Sequence, residues 1–421
     1  MRFAVAVHGT RGDVEPAAAV SLELLRRGHE VRMAVPPNLV SFVDGVGLGP
    51  SVAYGVDSQQ QLEADVFREP FRIRHPLTAL RDVRDYMTDG WTEMSRTLVA
   101  LSDDADLILT GTTYQELAAN VAEHQGIPLA ALHYFPFRAN THVLPVPLPA
   151  PVVRAIWPAV ESGHWRVIRP AEDAQRHELG LPKSRVRAIR RMIDDGALEI
   201  QAYDPQLFPG LADQWAGQRP LTGAMTLRLN TGTDAETSAW IDAGSAPIYF
   251  GFGSMPVESP AAAVQMISAV CAELGERALI CSGVWDLDET APAEHVRVVP
   301  AVNHAEVFPR CGAVVHHGGA GTTAAGLRAG APTFVLWIGA EQPVWAACVK
   351  RLGVGTSQRF TSVTADSLRA GLRRVLMPAA AQRARELAAR MATPEQSVSA
   401  AADLLEASAV KGRIPVKAPR R

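Results

Sequence analysis

An apolar run that stops at two histidines and then breaks into glycines constrains this chain more than any other stretch. Cys311-Gly-Ala-Val-Val315 reads as a short buried strand, followed at once by His316-His317-Gly318-Gly319-Ala320-Gly321-Thr322-Thr323. The next residues predict a short helix opening near Thr322 and ended by Gly330 and Pro332. The glycines let the backbone approach a ligand and aim several N–H groups at one point. A helix N-terminus there adds a positive dipole end, so the turn suits a phosphate or pyrophosphate. The same residues would equally make a tight strand–helix turn with no ligand.

The rest of the chain repeats this alternation. Phe3-Ala-Val-Ala-Val7 is a strand and Gly9 to Asp13 a loop. Pro16 fits the first turn of a helix that places Val20, Leu24 and Leu25 on one face, and Glu30 to Val35 is the next strand. Asp106–Thr110 and Pro128–Leu132 are further strands around a helix at about 114–125. The second half gives strands at Pro247–Phe252, Arg277–Cys281, Val296–Val299, Ala313–Val315 and Thr333–Trp337. Strands alternating with helices imply parallel, doubly wound α/β sheets. At 421 residues two domains are expected. The composition shift around 204–235 divides the chain into 1–211, a linker at 212–235 and 236–394. A helix at 395–410 is expected to pack back on the N-terminal domain, ahead of a basic tail at 411–421. Prolines at 136, 145, 147, 149, 151 and 158, among large apolar residues, suggest a packed wall or lid over an apolar pocket. Segment 60–96 is expected to add helices on the same side.

Bulk properties exclude other classes. A net charge of −3 argues against nucleic-acid binding, which wants a basic surplus. Cys271, Cys281, Cys311 and Cys348 lie in apolar segments with no Cys-x-x-Cys pair, and read as reduced thiols of a cytoplasmic protein. The apolar start is too short for a signal peptide, and no run reaches membrane-span length. The tail, with five basic residues and no acid, reads as a solvated end with at most peripheral contact to the inner face of a membrane.

Ligands of doubly wound sheets bind at the carboxyl ends of the strands. The turns expected there are Gly253-Ser254, Val302-Asn303-His304, the glycine motif, Gly339–Pro343, and Gly9-Thr10-Arg11-Gly12-Asp13. Together these residues resemble the family 1 glycosyltransferases of GT-B fold, in the bacterial branch that decorates glycopeptides, lipopeptides and macrolides. Gly9–Pro16 with Arg27-Gly-His-Glu-Val31 matches the opening motif of that branch, and Val315–Thr323 its donor-phosphate motif. The following Ala34-Val-Pro-Pro-Asn38 looks most like actinobacterial members, including mycobacterial transferases of glycopeptidolipids. Such enzymes place two Rossmann-like domains across a cleft.

The resemblance implies an inverting transfer of a hexose or deoxyhexose from a UDP- or dTDP-sugar to a hydroxyl of a hydrophobic acceptor, with no cofactor and no essential metal. Asp13 matches the catalytic aspartate, although a carboxylate at that spacing would also serve to cap the helix. His316, Ser254, Gly319, Ala320, Gly321 and Thr322 match phosphate contacts, where donors stabilise the leaving group. For His317, packing under the loop stands level with a ligand contact. Val302 and Asn303 match base contacts. Glu341 and Gln342 match an Asp-Gln pair that binds sugar hydroxyls, with Glu replacing Asp. His8 is a rival base or orients the loop, with Thr10 and Arg11 beside it. Trp337, where a proline is usual nearby, either narrows the donor pocket or belongs to the core. Asp104-Ala-Asp106 reads as a solvated turn and not a metal motif. Two other readings are a sugar-nucleotide 2-epimerase of the same fold and a non-catalytic nucleotide-sugar-binding protein.

Overall fold

Each half of the chain folds around its own parallel six-stranded sheet, and both sheets have the same strand order. The computed structural model describes residues 1–63, 83–141, 149–227, 233–253, 259–283 and 293–412. In the first sheet, β1 (Arg2–Ala6), β2 (Glu30–Val35), β3 (Val52–Ala53), β4 (Leu107–Thr110), β5 (Leu129–His133) and β6 (Leu198–Gln201) lie in the order β3-β2-β1-β4-β5-β6. In the second, β7 (Ile248–Gly251), β8 (Ala278–Cys281), β9 (Val296–Val299), β10 (Ala313–His316), β11 (Thr333–Trp337) and β12 (Gly355–Arg359) lie in the order β12-β11-β10-β7-β8-β9. The first, fourth, second and fifth strands of each half thus hold corresponding places, and the order reverses between the first and fourth strands. That reversal is where doubly wound sheets take ligands.

The inner strands β1, β4, β5, β7, β10 and β11 form because their apolar runs are buried on both faces, as parallel sheets require. In the first half, Ala4, Ala6 and Ile108 pack against the helices Trp91–Leu101 and Gln115–Gln125 through Trp91, Leu98, Leu117 and Val121. In the second, Ile248, Phe250, Val315 and Phe334 pack with Ile267, Cys271, Leu368 and Leu372. The four cysteines are unpaired. Among the described residues no helix is long and apolar enough to cross a membrane.

The chain divides into a unit of Met1–Ala202, Gly210–Leu227 and Pro394–Arg421, and a second of Tyr203–Pro209 and Arg228–Thr393. Residues 212–227 therefore belong to the first unit, while 228–232 lie outside the described residues. Tyr203–Pro209 joins the second because Tyr203 and Phe208 pack on Trp345, and Asp204 accepts the Ala392 N–H at 2.7 Å. The helix Pro394–Lys411 is tied to the first unit. Arg27 reaches Asp403 at 2.6 Å and Glu406 at 2.9 Å, and His29 meets Glu406 at 2.6 Å.

Two expectations are corrected. The first helix runs Arg11–Arg26, so Pro16 lies inside it and Asp13 in its first turn. Pro16 is the sixth residue of this helix, so the ladder lacks one bond there, the one to the Gly12 carbonyl. The proline-rich stretch becomes helical from Ala150, the start of a 29-residue helix to Glu178 that carries Pro158 and Pro170 inside it. Residues 142–148 of that stretch, 64–82 of the expected helical segment and 413–421 of the tail lie outside the described residues.

Candidate active site

In the second unit the reversal falls between β7 and β10, where Gly251 pairs with His316. The glycine turn leaves the sheet at this point. His316 is 0% exposed, and its Nδ1 accepts the N–H of Gly318 at 2.9 Å. That bond fixes the tautomer: in a neutral ring the proton then sits on Nε2. Burial, with the charges of His317 and His304 adding to it, holds the His316 pKa well below the ordinary value, so the ring is neutral. Among the described residues its buried Nε2–H has no partner. Native structures leave very few buried donors unpaired.

Gly318 has φ +97°, and a Cβ there would stand 2.8 Å from Val335 Cγ1 and 3.2 Å from Gln342 Cβ. The glycine is what lets the turn lie against the helix Gln342–Arg351. The helix Ala320–Arg328 starts in the turn, capped by Gly319 without a side-chain bond. The N–H groups of Ala320, Gly321 and Thr322 therefore have no intrahelical acceptor. Thr323 turns its hydroxyl back to the Gly319 carbonyl at 2.8 Å, while Thr322 stays partly exposed. The helix begins two residues before its expected start. His317 packs under the turn, its ring 3.0 Å from a Cβ placed on Gly253 and 2.7 Å from one on Gly319. Burial lowers its pKa to about 4. Ser254 lies outside the described residues.

Glu341 precedes the Gln342–Arg351 helix, and burial raises its pKa. Gln342 Oε1 accepts the Ile338 and Gly339 N–H groups at 2.8 and 3.3 Å, so this oxygen closes its own loop. Trp337 ends β11 half-buried, with the Arg359 guanidinium 5.9 Å from its ring centre. Asn303 caps the short helix His304–Val307 through Ala305 N–H at 3.1 Å, and its Nδ2 donates to Glu306 at 3.2 Å. Val302 packs against the cluster of Tyr249, Leu279 and Phe308. His304 stacks on Phe308 at 4.3 Å, with its Nε2 3.3 Å from the Tyr249 hydroxyl.

In the first unit, the turn after β1 presents Asp13 as the third residue of its helix. Thr10 donates both its N–H (2.8 Å) and its hydroxyl (3.2 Å) to Asp13 Oδ2. Asp13 thus caps the helix, and the same bonds hold its half-exposed carboxylate in place. Gly9, at φ +141°, makes this possible, since a Cβ there would stand 2.3 Å from Asp13 Oδ2. His8 is turned elsewhere. It is buried edge-on to Tyr114 at 5.2 Å, its Nε2 lies 3.0 Å from the Val56 carbonyl, and burial lowers its pKa. Its own carbonyl accepts the Thr113 hydroxyl at 2.6 Å, which ties the ends of β1 and β4 together. Arg11 is exposed, pairs with Glu15 at 3.1 Å and covers the Phe42 ring at 4.6 Å. Asp104 and Asp106 sit at the other end of the sheet, both held by Arg2. Among the described residues no group of three or more His, Cys, Asp or Glu side chains is placed to ligate a metal.

Sequence reasoning passed over Tyr134, just after β5. Its hydroxyl is buried, with no partner among the described residues. A tyrosine directly after a strand, where the chain turns at the ligand-binding edge, was the available signal.

Comparison with known proteins decides the family. Residues 3–86 match the glycosyltransferase family 28 N-terminal domain, and residues 286–406 the C-terminal domain of erythromycin biosynthesis protein CIII-like proteins. A glycosyltransferase of Mycobacterium tuberculosis (strain ATCC 25618 / H37Rv) is 55% identical over 98% of this chain and 100% of its own length. The chain belongs to the GT-B glycosyltransferases. Vancomycin aglycone glucosyltransferase from Amycolatopsis orientalis is 32% identical to this glycosyltransferase over 95% of the chain and 96% of its own length. Among solved structures, glycosyltransferase VinC in complex with dTDP matches with a TM-score of 0.65, at 18% identity, over 98% of this chain and 100% of that one. That likeness carries the two-domain Rossmann-like fold. Membership of a transferase family sets aside the epimerase and the non-catalytic readings.

Proposed function

We propose that this glycosyltransferase moves a hexose or deoxyhexose from a UDP- or dTDP-sugar to a hydroxyl of a hydrophobic acceptor, with inversion at the anomeric carbon and without a metal. The observation that carries the reading is the buried, unpartnered Nε2–H of His316 at a helix N-terminus. A neutral N–H donor beside three free backbone N–H groups is suited to oxygens of a diphosphate. The dTDP held by VinC supports a donor of this kind.

In this reading the acceptor oxygen attacks the anomeric carbon as the bond to the diphosphate oxygen breaks. The acceptor proton passes to Asp13, and the charge that collects on the leaving phosphate is met by His316, Ala320, Gly321 and Thr322. Ser254 adds a further phosphate contact. Glu341 and the carboxamide nitrogen of Gln342 face the sugar hydroxyls, and the Val302–Asn303 backbone takes the base. Phe135 and Phe137, half-exposed and edge-to-face at 5.7 Å past the end of β5, supply apolar surface for the acceptor. The vancomycin relative, whose substrate is an aglycone, supports an acceptor that is not a free sugar.

The test is a thermal-shift screen of nucleoside diphosphates and their sugars, followed by transfer assays in EDTA. A ligand that binds only the folded state raises Tm. UDP or dTDP should raise it in the wild type and much less in His316→Ala, and transfer should survive EDTA. An equal shift in both proteins would remove His316 from the phosphate site, and activity lost to EDTA and restored by Mg²⁺ would remove the metal-free reading.

A further inference from the structure

Tyr134 sits at the carboxyl edge of the first sheet with nothing assigned to it. By strand alternation Val7, Gly111 and Tyr134 fall on the face opposite Ala4, Ala6 and Ile108. That is the face opposite the helices Trp91–Leu101 and Gln115–Gln125. The Tyr134 side chain reaches back across the end of β4. A Cβ placed on Gly111 would lie 3.4 Å from its Oη and 3.1 Å from Val7 Cγ1. The phenol oxygen therefore lies over Gly111 at the end of β4, beside Val7, which stands two residues before the Gly9 turn that presents Asp13.

The residue is 6% exposed, and among the described residues its hydroxyl meets no acceptor or donor. Buried hydroxyls of tyrosine ordinarily find a partner, because desolvating the O–H without one is unfavourable. Burial, with the negative charge of Asp13 adding to it, holds the phenol pKa well above the ordinary value, so the group remains a donor throughout the working range of pH. The phenol follows directly on β5, and Phe135 and Phe137 come next in the chain.

We infer that Tyr134 is an acceptor-positioning residue, whose O–H, left unpartnered over Gly111 at the ends of β1 and β4, donates to the oxygen of the acceptor hydroxyl and so aims it at Asp13. The inference deepens the transferase reading above and rests on it. A donor bond to the nucleophile's oxygen leaves that oxygen a lone pair for attack and its proton free for Asp13, so this role fixes direction without consuming the nucleophile.

The experiment compares wild type with Tyr134→Phe, using 4-methylumbelliferone as a hydroxyl-bearing apolar probe with UDP-glucose and dTDP-glucose. Removing a buried, unpaired hydroxyl should leave Tm equal or higher, while loss of its bond to the acceptor should raise acceptor KM about five- to tenfold. The Tm shift with UDP or dTDP should not change. Unchanged acceptor kinetics in Tyr134→Phe would overturn the inference, and so would a drop in Tm, which would mean that the hydroxyl makes a structural bond. Wild-type protein that neither responds to a nucleoside diphosphate nor glycosylates any alcohol overturns the underlying reading, and this one with it. A nucleotide response intact in both proteins, with acceptor KM raised only in the variant, supports both.

Discussion

At the scale of single residues, two side chains do more than one task. Asp13 caps a helix through Thr10 and is the proposed base, and substitution can separate these roles. Asp13→Asn keeps an acceptor oxygen for the Thr10 N–H and hydroxyl but cannot take a proton. It should retain a near-wild-type Tm and lose transfer. Asp13→Ala should also lose the cap, at a cost of about 1 kcal/mol read by urea unfolding. Transfer by Asp13→Asn at the wild-type rate would exclude Asp13 as the base. His316 shows the limit of sequence reading at this scale. Its place at the strand end is visible in the run Val315-His316-His317, but its tautomer depends on the Gly318 N–H that meets Nδ1. Gln342 shows the same limit, since nothing in its neighbours announces that Oε1 would bond the backbone of its own loop.

At the scale of elements, the strand–turn–helix units were the most legible part of the chain. Buried parallel strands are continuous apolar runs, and glycines and prolines mark where they stop. The strands that escaped notice are those without that pattern: β3 has two residues, β6 carries Glu199 and Gln201, and β12 reads Gly-Thr-Ser-Gln-Arg. β12 lies at a sheet edge, where one side of the ladder is unpaired and polar residues are tolerated. Pro16 suggests a first helical turn, but the chain already turns at Arg11 under the Thr10–Asp13 cap. The long helix from Ala150 was hidden by its prolines, which sequence reasoning treats as breaks. The turn between β10 and its helix carries its own prediction. Gly318→Ala must hold φ +97° and place a methyl group 2.8 Å from Val335 Cγ1. It should cost about 1–3 kcal/mol of stability and raise donor KM, since the strained turn also carries the phosphate donors. Unfolding and donor kinetics like those of the wild type would show that the turn has room to relax.

At the scale of the whole molecule, both units bury neutral histidines near the ends of their strands. Burial lowers the pKa of His133 to about 3, that of His317 to about 4, and that of His316 well below the ordinary value. The sign follows directly. Between about pH 4 and 6.5 the unfolded chain binds these protons and the folded chain does not, so stability rises with pH through that window and is fully present above it. Urea unfolding at pH 5 should therefore show a lower midpoint than at pH 7.5, with little further gain above. A midpoint that stays level from pH 7.5 to 5 would mean that these rings protonate without unfolding the protein. The two-domain plan itself was legible in the alternation of strands and helices, but the chain's path through it was not. Tyr203–Pro209 joins the second unit through Trp345 and Ala392, partners far away in sequence.

The helix Pro394–Lys411, held on the first unit by Arg27 and His29, bears on how the protein is made. A ribosome delivers the first sheet roughly two hundred residues before it delivers this helix. Until then, Arg27 lacks Asp403 and Glu406, and the surface that the helix covers stays open. The first unit is begun first and completed last, so a nascent chain stalled before Pro394 displays an unfinished domain behind which the second unit has already been synthesised.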